Sequence, residues 1–502
     1  MRTIDLWVFY GYLVLILGIG LWLRGRKKSE NEFFLADSNM GWFPLGISIM
    51  VTMLTAVNYA IFPTEIFSRG IYVTVAIPVF VLVAWPVTRF FIPFYRRQKC
   101  TSAYEFLEQR FDLKTRCLAS GLFIMWRILW MTVALYASSR ILSAITGYSL
   151  WIIILFSGLI TVAYTAVGGI RAVIWTDVAQ FFVLFGGIIL GLIIADIRTP
   201  GGVDEIFSVA FRGGLFKPVT PYDPNFFSFD PTIRVTFWSG TTGTVVAFLV
   251  RYGADQMVVQ RFLTAKSERD ACKSFWLNVV CTVIVLVLLV IFGMAIYSFA
   301  VHSRVLGRFE LPLAYLKFLI KSMPYGGCGL MAAGLLAATM SSVDSGINAC
   351  SAAWTRDFYH RLISERVRSS ELHIRFSTLF TIIVGTVIII MALLFIVLFG
   401  RHHNIFVLAN KIINGMGSPL LAVVAAGMLK RRFTPDGVFW GGVCGTVCSV
   451  ITVLVISNLA LHYYAVVNLG LTFSFISILS MLLRKASTGQ SSLPPKTPDL
   501  SR

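Results

Sequence analysis

Long apolar runs alternate with short polar segments along almost the whole chain. A helix needs roughly 20 residues to cross the hydrocarbon core of a bilayer, which is about 30 Å thick. Because the runs reach this length, the pattern predicts an all-α, polytopic membrane protein. The thirteen predicted spans are about 5–24, 42–68, 71–95, 117–145, 148–167, 170–197, 233–254, 274–300, 328–355, 374–400, 404–429, 436–458 and 461–483.

The second span carries polar residues that a helix facing only lipid does not need. Thr52, Thr55 and Asn58 recur at helical spacing on one face, and Pro63 is expected to limit the helix beyond them. A single threonine in a span more often bonds back to its own helix. A whole polar face instead favours a transport path, which needs oxygen atoms near the bilayer midplane.

The ninth span is richer in polar groups than close packing of small residues requires. Its polar residues are Thr339, Ser341, Ser342, Asp344, Ser345 and Asn348. Hydroxyls, carboxylates and carbonyls freed where a helix unwinds are the ligands that monovalent cations use in transporters. The span therefore predicts a cation site.

A third signal lies where the fifth span meets the sixth. Gly168 and Gly169, followed by Arg171, predict a tight turn, and Asp177 enters the next span about one and a half turns later. An ionisable residue inside a span is a functional candidate by default. Arg127 and Lys411 are further candidates, although each could instead snorkel or neutralise an acid.

The charge distribution predicts the orientation of the chain. Charged residues make up 13% of the sequence, against about a quarter in soluble domains. The net charge of +19 does not indicate nucleic-acid binding, because the basic residues punctuate alternate loops. These residues are Arg24, Arg26, Lys27, Lys28, Arg96, Arg97, Lys99, Arg261, Lys266, Arg269, Arg356, Arg361, Arg366, Arg368, Lys430, Arg431 and Arg432. By the positive-inside rule the N-terminus is outside and the C-terminus is cytoplasmic. The expected location is the plasma membrane.

Several ordered motifs add a resemblance to these signals. They are Glu32-Phe-Phe-Leu-Ala, Thr101-Ser-Ala-Tyr-Glu-Phe-Leu-Glu-Gln-Arg-Phe111, Gly168-Gly169 through Gln180, Val259-Gln-Arg261, Ser341-Ser342, Arg356-Asp-Phe-Tyr359 and Gly417-Ser-Pro419. Together they resemble the sodium:solute symporter family, which holds sodium-coupled sugar, proline, sialic acid and monocarboxylate carriers. The resemblance implies a LeuT-like fold with two inverted five-helix repeats, at about 42–197 and 233–429. Residues 1–484 would form the transmembrane domain and 485–502 a disordered tail.

The resemblance also implies two cation sites. The first would use the carbonyls of Val51, Leu54 and Ala338 and the hydroxyls of Ser341 and Ser342 for sodium, the coupling ion. The second would use Asp177, Ser341, Asp344 and Ser345. The chain departs from the family at Asp344, where a serine looks usual, so the ion stoichiometry is open.

The implied solute site lies beside these cations. It would be lined by Thr55, Asn58, Phe248, Arg251, Tyr252 and Lys411. The positions that match the sugar-binding residues of the family's sugar carriers are apolar or small here, Ile77 and Thr282, which argues against a sugar. Two cationic side chains favour a small polar, anionic solute such as a carboxylate.

A channel is the nearest alternative, but a buried site between broken helices suits alternating access better. A transporter-like sensor without coupled transport is another. An enzyme is not expected, since the six histidines show no ligand spacing beyond His402-His403. The expected partners are the solute, sodium ions and the bilayer, with a monomeric functional unit and no nucleic acid.

Overall fold

The structure, a computed structural model, describes most of the predicted membrane domain. The described residues are 2–23, 29–98, 100–216, 225–233, 235–303, 318–320, 322–363, 370–399, 411, 415–429, 433–456, 458–460 and 462–490. Helices dominate these ranges, and the only extended pairing within them is an isolated bridge between Met40 and Ala265. The all-α prediction is confirmed.

Eighteen helices are labelled here in chain order. They are α1 (Thr3–Trp22), α2 (Glu30–Leu35), α3 (Trp42–Met53), α4 (Ala56–Arg69), α5 (Ala76–Pro86), α6 (Ile92–Arg97), α7 (Glu105–Arg110), α8 (Leu113–Thr146), α9 (Leu150–Arg198), α10 (Gly202–Arg212), α11 (Phe237–Leu249), α12 (Gln256–Thr264), α13 (Glu268–His302), α14 (Gly327–Trp354), α15 (Ser370–Phe399), α16 (Ser418–Met428), α17 (Pro435–Val455) and α18 (Tyr463–Gln490). Wider π-helical segments follow α5, α11 and α14, at Val87–Phe91, Val250–Ala254 and Thr355–Ile363.

Nine helical segments in the described part of the chain are long and apolar enough to cross a membrane. The count of thirteen spans stays a prediction, because α9 covers two predicted spans and residues 404–410 and 412–414 of the span at 404–429 lie outside the described residues. α18 continues to Gln490, past the predicted start of the tail at 485, and the disorder of 485–502 stays a prediction. Residues 491–502 lie outside the described residues.

The family resemblance implies that the second and seventh spans are the broken first helices of the two repeats, and the structure has a break within the second span and another directly after the seventh. α3 ends at Met53 and α4 begins at Ala56, so Leu54 and Thr55 are non-helical. Asp255 is extended between the π-helical segment after α11 and the start of α12. Pro63 does not end α4, which continues to Arg69. Membrane helices tolerate proline because neighbouring groups satisfy the backbone atoms that it frees.

Helix α14 forms the centre of the molecule. Nearly all of its residues are buried, and it packs against α9, α8, α15 and α1. Glycine, alanine and serine let helix backbones approach closely in a membrane. The polar residues of the predicted cation site are therefore held inside the protein, away from lipid.

The turn predicted at the two glycines lies inside α9. Gly169 has φ 65° and ψ −170°, a conformation that breaks the helix there. A Cβ atom at Gly169 would lie 2.8 Å from the carbonyl oxygen of Phe33, in α2. Both the positive φ and the close approach require glycine.

Replacing Gly169 by alanine should therefore destabilise the protein. This combination of positive φ and extended ψ is adopted almost only by glycine and costs a residue with a Cβ about 1–3 kcal/mol, and the clash with Phe33 adds to this. Gly186→Ala in the same helix is the matched control, because a Cβ there meets nothing within 4 Å. Apparent melting temperatures in one detergent at one scan rate compare the variants, and equal values would contradict this account of the turn.

Candidate functional site

The gap between α3 and α4 frees backbone oxygen atoms inside the protein. Leu54 N–H donates to Met50 at 3.0 Å as α3 ends. The last carbonyls of a helix have no partner within that helix. These carbonyls face α14, where the two adjacent serines lie.

Oxygen atoms from α3 and α14 converge at this gap. Ser341 Oγ lies 3.2 Å from the carbonyl oxygens of both Val51 and Ala338. Ser342 Oγ lies 2.9 Å from the carbonyl of Thr52 and 3.1 Å from that of Ala338. All are oxygen atoms of neutral groups, the kind of ligand set that suits Na⁺.

Four of the five groups predicted for the first sodium site thus meet in the structure. The fifth residue, Leu54, is buried at the break, one residue beyond α3. The contact between Ser342 and the Thr52 carbonyl was not predicted from the sequence.

A buried arginine lies next to this cluster. Arg261 Nε donates to Ser48 Oγ at 2.7 Å, and its Nη2 lies 2.8 Å from Thr52 Oγ1 and 2.5 Å from Ser345 Oγ. The same Nη2 pairs with Asp177 Oδ2 at 3.2 Å, and both side chains are fully buried. The assignment of Arg261 to a cytoplasmic loop is therefore wrong, because its charge is compensated inside the protein.

The two acids of the predicted second cation site have different partners. Tyr164 donates its hydroxyl to Asp344 Oδ2 at 2.6 Å, and the backbone N–H of Ser345 donates to Asp344 Oδ1 at 2.5 Å. Asp177 pairs with Arg261, and its Oδ1 accepts no hydrogen bond from the described residues. The structure thus gives Asp177 a fixed cation and Asp344 only neutral donors.

A small cavity lies beside the gap between α3 and α4. It is lined by Thr52, Met53, Asn58, Trp126, Arg127, Trp130 and Arg251. Its volume is about 20 Å³, room for about one water molecule. An organic solute would enter only after these walls separate.

The two arginines of this cavity differ in their partners. Arg127 forms an ion pair with buried Asp255, and its guanidinium lies 4.5 Å from the ring centroid of Trp126. Arg251 lies 6.0 Å from the Phe248 ring centroid. Within the described part of the chain, no acidic side chain pairs with Arg251. One cationic group at the cavity is neutralised, and the other is available to a ligand.

The structure brings only part of the predicted solute site together. Asn58 and Arg251 line the cavity, and Thr55 Oγ1 donates to Asn58 Oδ1 at 3.1 Å. Tyr252 is buried and stacks on Phe80 at 5.2 Å. Tyr252 is not a lining residue.

Lys411 is also placed elsewhere. Its Nζ donates to the carbonyl of Val453 at 3.3 Å and lies 5.4 Å from the Tyr464 ring centroid. These partners belong to α17 and α18, which follow the predicted repeats. The Lys411 side chain contacts these helices, so the structure does not bring it to the cavity.

Sequence reasoning missed the aromatic wall of the cavity and the role of Arg261. Trp126 and Trp130 are four residues apart on α8 and flank Arg127. An arginine among tryptophans in a span was the available signal, since a helix that faces only lipid has no use for the charge.

Comparison with known proteins identifies the family. The profile of the sodium:solute symporter family matches residues 33–445. The sodium/sialic acid symporter of Proteus mirabilis strain HI4320 is 29% identical over 476 residues, covering 92% of this chain and 91% of that protein. Sodium-coupled monocarboxylate transporter 1 of Mus musculus is 29% identical over 459 residues, covering 89% and 72%.

A solved structure agrees with these relatives. A Na⁺-coupled sialic acid symporter in a substrate-bound outward-open state superposes with a TM-score of 0.87 at 25% identity. The match covers 96% of this chain and 98% of that one, which confirms the LeuT-like fold. The family and these relatives are transporters, and the apolar helices fit a multi-pass membrane protein. The chain therefore belongs to the sodium:solute symporter family, with Na⁺ as its coupling ion.

Proposed function

We propose that this protein couples the entry of Na⁺ to the uptake of a small organic anion, of the carboxylate class. The observation that carries the proposal is Arg251, which lines the cavity and has no acidic partner among the described residues. A charge in a low-dielectric site is stable only with a counter-charge or several hydrogen bonds. A carboxylate would supply both through a bidentate contact with the guanidinium.

The start of α4 supports the same conclusion. Asn58 lies in the first turn of α4 and lines the cavity. The first N–H groups of a helix have no intrahelical acceptor, and the helix dipole favours negative charge there. An anion between Arg251 and this helix end would thus be stabilised from two sides.

The relatives point to the same chemistry. Two of the proteins reported above are named for sialic acid and for monocarboxylates, and both kinds of solute carry a carboxylate. The shared feature, rather than either solute, is what we transfer to this chain. Trp126 and Trp130 would pack against the uncharged part of the solute.

We also propose the finer features of the transporter. The first sodium site is formed by Val51, Leu54, Ala338, Ser341 and Ser342, and a second cation binds among Asp177, Ser341, Asp344 and Ser345. The repeats comprise about 42–197 and 233–429. The protein acts as a monomer in the plasma membrane, with its N-terminus outside and its C-terminus in the cytoplasm.

Proteoliposomes test the function directly. Radiolabelled monocarboxylates should accumulate inside the proteoliposomes above their equilibrium concentration when an inward Na⁺ gradient is imposed. They should not accumulate with an inward K⁺ gradient. A thermal-shift screen that pairs each carboxylate with its neutral amide would select the solutes. Stabilisation by the amides as strong as that by the carboxylates would contradict an anionic solute.

Arg251→Gln should weaken the carboxylate far more than its neutral amide. A hydrogen bond to a charged group contributes about 1.5–3 kcal/mol, which corresponds to about a ten- to hundredfold loss of affinity. Lys411→Gln is the matched control and should leave both affinities unchanged, because Lys411 contacts carbonyls of α17. Equal losses for acid and amide in Arg251→Gln would show that this residue only shapes the cavity.

Ser342→Ala should raise the Na⁺ concentration for half-maximal uptake by more than tenfold, on the order of 1.4 kcal/mol. The lost hydroxyl is poorly replaced by water inside the protein. Ser351→Ala in the same helix is the control, since the Ser351 hydroxyl donates to the Ser377 carbonyl at 2.9 Å instead. Unchanged Na⁺ dependence in Ser342→Ala would refute the first sodium site.

The second cation should make Na⁺ and protons competitors, because two nearby carboxylates bind either a cation or a proton. Uptake should then depend on Na⁺ more steeply than first order at high pH, and acid should weaken the apparent Na⁺ affinity. Asp344→Ser should keep transport and lessen this pH dependence. Asp177→Asn should impair coupling more, because it leaves Arg261 buried without its acid. First-order Na⁺ dependence at every pH, with no change in Asp344→Ser, would contradict the second site.

A further inference from the structure

A carboxylate and two imidazoles meet at one end of the helix bundle, outside the cavity. Glu30 begins α2, His360 lies in the π-helical segment after α14, and His373 lies in the first turn of α15. One ligand atom from each side chain lies within 4.8 Å of the other two. All three side chains are partly exposed, so ions from solution can reach them.

Their contacts hold the group together. His360 Nε2 lies 2.7 Å from Glu30 Oε2, and the ring centroids of His360 and His373 are 4.7 Å apart. Arg356 Nε lies 3.6 Å from the other oxygen of Glu30, Oε1. Arg356 thus orients the carboxylate and leaves Oε2 directed at the imidazoles, as outer partners do for metal ligands.

The donor atoms decide which ion fits. Two imidazole nitrogens and one carboxylate oxygen form the three-residue set that zinc uses when a fourth position stays open. Nitrogen ligands favour Zn²⁺, Ni²⁺, Co²⁺ and Cu²⁺ over Na⁺, Mg²⁺ and Ca²⁺, which prefer oxygen. This chemistry separates the group from the all-oxygen clusters at α3 and α14.

We infer that Glu30, His360 and His373 form a binding site for a transition-metal dication of the zinc class, which inhibits transport when it is occupied. The metal would join α2 to the segments around α14 and α15. α2 lies just before the first broken helix, which must move against the rest of the protein during alternating access. A metal bridge across these elements would hold one conformation.

Metal binding is tested on tag-free, full-length protein in detergent, with Co²⁺ as the spectroscopic probe and Zn²⁺ as its competitor. The wild type should bind one Co²⁺ that Zn²⁺ displaces. The double variant His360→Gln/His373→Gln should lose more than about tenfold in affinity, since even outer partners of metal ligands contribute that much. The matched control His302→Gln/His462→Gln removes two described histidines that do not belong to this group and should bind as the wild type does.

Transport gives a second readout. Zn²⁺ on both faces of the proteoliposomes should inhibit Na⁺-driven uptake by the wild type, and the double variant should transport but resist Zn²⁺. Absence of Co²⁺ binding, or equal binding by the double variant, would overturn the site. Zn²⁺ binding without inhibition of uptake would overturn the inhibitory role of the site. Because Co²⁺ binding needs no solute, failure here is distinct from failure of the proposed anion transport.

Discussion

The buried guanidinium of Arg261 is the contact on which the arrangement of the site depends. From α12 it reaches Ser48 and Thr52 on α3, Asp177 on α9 and Ser345 on α14. A buried charge costs several kcal/mol unless it is paired and hydrogen-bonded, so these helices must keep their relative positions to satisfy it. The relative positions of the polar side chains on α3, α9 and α14 follow from this constraint.

Thr52 joins this network to the rest of the site. Its hydroxyl contacts Arg261 and lies 3.0 Å from Ser345 Oγ, while its carbonyl accepts from Ser342 at 2.9 Å. Thr52 also lines the cavity beside Asn58. A sodium ion at the serines would compete for the carbonyl oxygens that α3 now offers to them. A shift of α3 would change the cavity wall and thereby the affinity for the solute. By linkage, bound solute would change the affinity for sodium by the same factor.

The sequence predicts the helices and the meeting of the α3 carbonyls with the α14 serines better than it predicts the lining of the cavity. Span length and the polar faces at Thr52 and Ser341 are local properties, so they are readable without knowing which helices meet. Arg261 and Asp177 lie 84 residues apart, and a basic residue after a span looks like a loop residue until tertiary contacts are known. The prediction that Lys411 lines the solute site fails for the same reason. The charge of Lys411 is visible in the sequence, but its contacts with α17 and α18 are tertiary.

The end of the bundle near α7 combines polar contacts with an apolar core that includes Phe106 and Leu107. Arg116 pairs with buried Asp357 at 2.7 Å and with Glu108 at 2.7 Å, and Glu108 also pairs with Arg361. The Glu108–Arg361 pair is partly exposed, and such pairs contribute only about 0–1 kcal/mol, because water competes for both partners. Arg116 and Asp357 are both buried, so breaking their pair without hydration would leave an uncompensated charge inside the protein. Opening at this end would have to bring water to Asp357 and to separate the apolar side chains of Phe106 and Leu107 from their neighbours.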